Sequence, residues 1–208
     1  TPLHNVLVET ILELKEEGLP IDYMVYFLEN LMANPSARSI EELYSFLANK
    51  NMPITEDGFF IAYKTVVTYH GNPFTDVHGK NVKDGDLVDK YSRKVRNNIG
   101  DSPEMARNQV DDNCNRTCSH GYHVGALKYS GPGGSYNSPS DTVILVKVNP
   151  KDVVSVPADH NAQKLRVSKY EVVGTYTQPL GRSSKQESYN YIDDAYNSWG
   201  YEDDSWDN

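Results

Sequence analysis

The feature that most narrows what this chain can fold into is a change of hydrophobic period at Pro53. Before it, apolar residues recur every three or four positions: Leu7, Ile11 and Leu14, then Met24, Phe27, Leu28 and Leu31, then Leu43, Phe46 and Leu47. That is the spacing of helices that bury one face. After it come short runs rich in β-branched and aromatic residues, separated by Gly, Asn, Asp and Pro, the pattern of strands and turns. Helices first and strands afterwards predict an α+β fold, N-terminal helices followed by a mostly antiparallel sheet with long loops and an acidic aromatic C-terminal tail. The expected divisions are a helical segment 1–52, an α+β core 53–180 and a tail 181–208.

Three helices are expected. The first covers residues 4–17 and is stopped by Gly18 and Pro20; the second covers 22–32, ahead of an Asn34-Pro35 break. Ser39 followed by Glu42 has the form of a capping box and opens a third helix ending near Asn49. Strands are expected over 59–67, 142–148 and 153–156, with Asn149-Pro150-Lys151-Asp152 as the turn between the last two, and one final strand over 165–176. Segments 152–157 and 164–173 are expected to pair antiparallel, with Val154 and Val156 facing the core. Residues 68–117 are too long a polar stretch to be a structureless loop, so they hold short strands or carry function.

With 29 acidic against 20 basic side chains, the chain carries −9 and would be repelled by nucleic-acid phosphates and anionic lipid. Nucleic acid is therefore not an expected partner. No apolar run approaches the ~20 residues a spanning helix needs, and no basic, then apolar, leader precedes the first helix. A soluble chain in a reducing cytoplasm is expected, since the two cysteines, Cys114 and Cys118, do not form the spaced framework of a secreted domain. The charge is uneven. Residues 181–208 hold seven acidic and two basic side chains, −5 of the −9, yet also Tyr189, Tyr191, Tyr196, Trp199, Tyr201 and Trp206. Composition predicts no core of its own there, but Tyr and Trp are the side chains that carry binding energy at interfaces. This segment is expected to be a partner-binding arm that orders on a surface supplied by another chain.

Four clusters carry possible chemistry. Cys114, Cys118, His120 and His123 are soft or borderline ligands within ten residues, but structural zinc usually divides its ligands between two separated pairs, so an ordinary polar loop leading into a strand is expected and no metal or cofactor. Cys118 with His123 would be a nucleophile and base only if a third group oriented them, and none is visible; no catalytic residue is assigned. Lys90, Arg93, Lys94, Arg96 and Arg107 make the middle segment locally basic, either to meet an anion or to balance Asp101, Glu104, Asp111 and Asp112. Lys164, Arg166 and Lys169 flank the last strand and are expected to form exposed pairs with Asp152, Asp159 or Glu171.

Several runs resemble a known family. Phe27-Leu28-Glu29-Asn30-Leu31 with Asn34-Pro35-Ser36, Pro53-Ile54-Thr55-Glu56-Asp57-Gly58-Phe59 with Ala62-Tyr63-Lys64, Cys118-Ser119 with Gly121 and His123-Val124, and Val148-Asn149-Pro150 with 152–157 are similar to the C-terminal half of the rIIB proteins of T-even and related phages. The resemblance continues through Asp159, Lys164, Arg166 and 170–173, and through Arg107, Val110, Asp111 and Asp112 in the middle segment. Departures are Tyr91 and Ser92-Arg93 in one element, Tyr122 where the family has Leu, Cys114 and His120, which match no family position, and the added segments 70–88 and 181–208. Lys64, Arg107, Asp112, Cys118, Gly121, His123, Asp159, Lys164 and Arg166 fall on family positions whose role the resemblance does not give. What it implies is a phage accessory protein, not an enzyme, that acts with an rIIA-like partner at the inner face of the host envelope and affects lysis timing. A homo-oligomer is compatible with this. The alternative is a virion component, a decoration, neck or tail protein reusing the same domain. The family's upstream half, with its helix-turn-helix-like segment, is not represented in these residues, so DNA binding is not implied.

Overall fold

The computed structural model describes residues 20–50, 52–158 and 162–177, with Val8, Ile11, Leu12, Lys15, Glu16 and Gly18 before them. Of the first expected helix, the described positions 8, 11, 12, 15 and 16 are helical and Ile11 packs against the core; the rest of 4–17 lies outside the described residues. Helix α1 (Asp22–Met32) buries Met24, Phe27 and Leu31, the stripe read from the sequence. Helix α2 (Ala37–Lys50) buries Leu43, Phe46 and Leu47. The capping box is a misreading. The residue that caps α2 is Ser36, whose Oγ accepts the Ser39 N–H at 3.2 Å. Ser39 and Glu42 instead reach the sheet: Ser39 Oγ donates to Val154 O at 2.7 Å and Glu42 Oε2 accepts the Val156 N–H at 2.8 Å.

The sheet contains β1 (Phe60–Thr68), β4 (Leu87–Asp89), β5 (Tyr122–Gly125), β6 (Thr142–Val148), β7 (Val153–Ser155), β8 (Lys164–Val167) and β9 (Glu171–Thr175). Its order is β7-β8-β5-β1-β6-β9, with β4 on the far end of β1, and every named pair is antiparallel. The β1–β6 pair, from Phe60↔Val148 to Val66↔Thr142, is its spine. The expected final strand divides at Ser168, Lys169 and Tyr170 into β8 and β9, which sit on opposite sides of that spine. Four strand-to-strand steps would separate them by ~19 Å in a flat sheet, whereas Val167 to Glu171 spans at most ~14 Å of chain. The sheet must therefore curl. The break is held from outside: Ser168 N–H bonds Asp152 O at 2.9 Å, Met105 N–H bonds Ser168 O at 2.9 Å, and Glu104 bridges Lys169.

Segments 152–157 and 164–167 pair as expected through β7 and β8, but the register shifts between Val153 and Ser155. Both Val154 and Val156 are buried, yet the continuous core takes Val153 and Val156, because the irregularity breaks the alternation. That core joins the two helices to Phe60, Ala62, Val66, Val124, Val146, Val148, Leu165 and Val167 of the sheet. Each fully buried side chain of this size contributes roughly 1.5–3 kcal/mol.

Residues 68–117 do hold short strands, a β2 (Phe74–Thr75) and β3 (Asn81–Val82) hairpin, β4, and a 3-10 turn at Arg107–Gln109. Aspartates organise the rest. Asp76 accepts the N–H groups of His78, Lys80 and Arg96, and Asp89 those of Ser92, Lys94 and Val95. Carboxylates accepting main-chain N–H groups do here what a longer sheet would otherwise do.

Candidate functional site

Antiparallel pairing places His123 opposite Arg166 and Gly125 opposite Lys164, with Tyr63 of β1 opposite Gly125. Four of the family positions, Lys64, His123, Lys164 and Arg166, are thereby gathered at the middle of the curled sheet. Lys164 and Arg166 are not exposed as expected: they are 1% and 0% exposed, and Lys64 is 8%, while Asp159, one of the expected partners, lies outside the described residues. Lys169, the third of that group, is paired with Glu104 at 2.7 Å.

The buried cations are directed at the main chain. Lys64 Nζ donates to His123 O at 3.0 Å and stands 5.5 Å from the centre of the Tyr170 ring. Lys164 Nζ donates to Thr117 O at 2.6 Å and lies 6.0 Å from the Tyr129 ring centre. Arg166 donates to Asp111 O at 2.9 Å, Asn113 O at 3.0 Å, Ser155 Oγ at 3.2 Å and Arg116 O, while its Nε has no acceptor among the described residues. Arg166 thus gathers the 111–116 turn over the sheet. The turn is also tied by Asp111, which accepts from Ser119 Oγ, Asn113 N–H and Arg116; these bonds hold its carboxyl far below the usual carboxylate range.

Burial, reinforced by Lys64, Lys164 and Arg166, pushes the His123 imidazole down to about 4, so it is neutral at physiological pH. Its Nε2 is 3.1 Å from Ser119 O, which requires the proton on that nitrogen. Burial likewise lowers the Lys64 ammonium, opposed in part by Asp89. Next to Lys64, the buried Tyr170 donates its hydroxyl to Asn97 Oδ1 at 2.5 Å, and its ring meets Tyr122 edge-on at 5.3 Å. Tyr122 in turn contacts His78 Nε2 at 2.6 Å, and burial pushes its phenol well above the usual range.

The remaining family positions lie around this centre. Gly121 has φ +136, and a Cβ there would meet Val110 Cγ1 at 2.7 Å beside the Arg166 side chain, so only glycine fits. Cys118 is exposed and Cys114 half-buried, both free. Among the described residues no hydrogen bond joins Cys118 to His123, whose Nε2 faces Ser119 O. Among the described residues no three His, Cys, Asp or Glu side chains come together in a way that would hold a metal, and His120 Nδ1 is 2.6 Å from Gln109 O. Asp112 is exposed and pairs with Arg38 at 3.2 Å. Arg107 belongs to a different junction: it donates to Lys151 O at 2.8 Å, Asn34 Oδ1 at 2.9 Å and Ser39 Oγ at 3.3 Å, tying the α1–α2 break to the β6–β7 turn. Asn34 completes the tie by donating to Pro150 O and Val153 O. Asp159 lies outside the described residues, as do Tyr189, Tyr191, Tyr196, Trp199, Tyr201 and Trp206 of the expected arm.

In the basic middle segment, two of the five members, Arg96 and Lys90, are balanced by carboxylates, and only Arg96 by one of those the sequence suggested. Arg96 forks onto Asp101 with two bonds of 2.8 Å, and Lys90 pairs with Asp141 at 2.6 Å. Arg93 and Lys94 make no ion pair among the described residues. Tyr122, Tyr170 and Asn97 are parts of the site that sequence reasoning did not single out for a role, and Asp111, read there as a counter-charge to the basic segment, instead bonds Asn113, Arg116 and Ser119. The one local signal was the Asp111-Asp112-Asn113 turn composition.

The fold and site define an α+β domain whose cationic interior is closed on its own main chain. The chain belongs to the rIIB family of phage proteins: the family described as Bacteriophage T4 protein rIIB matches residues 5–184. It is 37% identical over 180 residues to Protein rIIB of Enterobacteria phage T4, an alignment covering 85% of this chain and 50% of that protein. The chain therefore spans about half the length of that relative. No solved structure matches.

Proposed function

We propose that this protein is a phage accessory protein that delays lysis through protein–protein contacts, working with an rIIA-like phage partner at the inner face of the host envelope and catalysing no reaction. The observation that carries this reading is family membership over 5–184 combined with the use made of Lys64, Arg107, Lys164 and Arg166. The strongest polar groups at family positions bond the chain's own carbonyls and bring loops and helices onto the sheet. Such groups build a rigid surface for a partner. The envelope location would come through that partner, because a charge of −9 opposes adsorption to anionic lipid and no described helix is long and apolar enough to cross a membrane. The contact itself falls to the segment holding Tyr189, Tyr191, Tyr196, Trp199, Tyr201 and Trp206, whose aromatic rings suit an interface.

The test is affinity capture of the tagged full chain from infected cells, beside a chain lacking 181–208. One phage protein should be recovered in near-stoichiometric amount with the full chain and lost with the shortened one. Recovery of no phage protein by the full chain overturns the reading.

A further inference from the structure

The sequence alone leaves the surface for segment 181–208 to another chain, yet this domain carries a surface of complementary chemistry where that segment departs. Strand β9 ends at Thr175; Tyr176 then donates its N–H to Val143 O at 2.8 Å and turns its ring edge-on to Tyr63 at 5.7 Å. Tyr176 forms the rim of an open cleft whose other walls include Pro132, Gly133, Pro139, Thr142 and Val143. Thr177 is the last described residue, so the chain leaves from this rim.

A cationic loop stands beside the cleft. Asp141, on the cleft wall, holds Lys90 at 2.6 Å, and Lys90 also donates to Tyr136 O at 3.1 Å, which fastens the turn after β4 to the 132–141 loop. Lys90 is neutralised there. The next residues are not: Tyr91 is 92% exposed, and Arg93 and Lys94 make no ion pair among the described residues. The cleft thus has Pro132, Pro139 and Val143 beside the polar Asn137, Asp141 and Thr142, and the turn anchored to it through Lys90 carries an exposed aromatic ring and two exposed cations beside the Asp89 carboxylate.

Residues 187–207 have the matching composition. Glu187, Asp193, Asp194, Glu202, Asp203, Asp204 and Asp207 alternate with the Tyr and Trp residues, and no Lys or Arg follows Lys185. The twelve steps from Thr177 to Tyr189 span up to ~40 Å, ample to return to the same end of the sheet. We propose that residues 187–207 dock on their own domain, with aromatic side chains in the cleft and against Tyr91, and carboxylates against Arg93 and Lys94. This goes beyond the partner reading, because it concerns the chain alone; a partner engaging the same segment would displace it.

Both tryptophans of the chain, Trp199 and Trp206, lie in this segment, so intrinsic tryptophan emission reports on it and nothing else. In the purified full chain the emission should be blue-shifted relative to the urea-unfolded chain, at the same wavelength across a range of dilutions. High salt and the double substitution R93E/K94E should each move it toward the unfolded value with far-UV circular dichroism unchanged, because exposed charge pairs are screened or reversed. The cleft substitution Pro139→Glu should do the same. Native emission equal to that of the unfolded chain overturns the proposal. So does a blue shift untouched by either variant, or one lost on dilution together with dimer mass, which would give the site to a second copy. No partner is in the tube, so failure here is distinct from failure of the capture experiment.

Discussion

Replacing Arg166 by Met tests whether the buried guanidinium is the fastening of the 111–116 turn. The substitution keeps an unbranched chain of similar length and removes donors to Asp111 O, Asn113 O, Arg116 O and Ser155 Oγ. Charge-assisted bonds of this kind are worth about 1.5–3 kcal/mol each before compensation. Two effects offset part of the loss. Removing an ion that is 0% exposed and forms no ion pair among the described residues relieves a desolvation cost of several kcal/mol, and carbonyls of a turn near the surface recover water. The net destabilisation should be about 3 kcal/mol, or roughly 6–12 °C in Tm for a domain of this size. Arg166→Lys should cost nearly as much, because one ammonium cannot reach carbonyls spread over three residues of a turn. Urea denaturation should show a lower midpoint with an unchanged slope, and limited proteolysis should cut the 111–119 loop faster. A change under ~0.5 kcal/mol, the level of an ordinary surface substitution, would refute the reasoning.

His123 supplies a pH dependence. Its folded value of about 4 lies below the ordinary 6.5, so the unfolded chain binds the proton first and stability falls as pH drops from about 6.5 to about 4, by roughly 3 kcal/mol in all; His123→Gln should flatten that part of a stability-against-pH curve. Gly121→Ala should cost about 1–3 kcal/mol, measured by thermal melting, since φ +136 and the Val110 contact at 2.7 Å both oppose a Cβ. Arg107→Ala should loosen α1 and α2 from the sheet by about 2–4 kcal/mol, visible as faster amide exchange in both helices with the β1–β6 spine unchanged. Ser36→Ala should lower helix stability by ~1 kcal/mol as a lost cap, whereas Ser39→Ala should act through the lost Val154 bond and speed exchange at β7.

The elements legible in the sequence are those whose burial is one-sided. Met24, Phe27 and Leu31 mark α1, and β6 runs over the residues its β-branched composition marks, because each buries one face. Legibility fails where a third layer covers a face that should meet solvent. Lys164-Leu165-Arg166-Val167 alternates like a half-exposed strand, yet all four residues are buried, since the 111–119 loop lies over the polar face. The same cause hid the division of 165–176: Ser168-Lys169-Tyr170 continues the alternation, and only the distant Asp152 and Met105 main chain ends the strand. Ser39 and Glu42 have cap chemistry and local spacing, but contacts to Val154 and Val156, more than a hundred residues away, take their side chains. In the candidate site, the family positions Lys64, His123, Lys164 and Arg166 could be picked out by type, but their convergence depends on the β1–β5–β8 order, which no local pattern encodes.

The most direct test of the central claim, that this protein acts by contact and not by catalysis, is lysis timing after superinfection in cells infected by phage lacking this chain and supplied with variants. A chain carrying Cys118→Ser and His123→Gln should restore the delay fully, because the proposed contact mechanism asks no chemistry of either side chain. A folded chain lacking 181–208 should not restore it. The opposite pattern, delay lost with the Cys118 and His123 substitutions in a stable protein and kept without 181–208, would contradict the account.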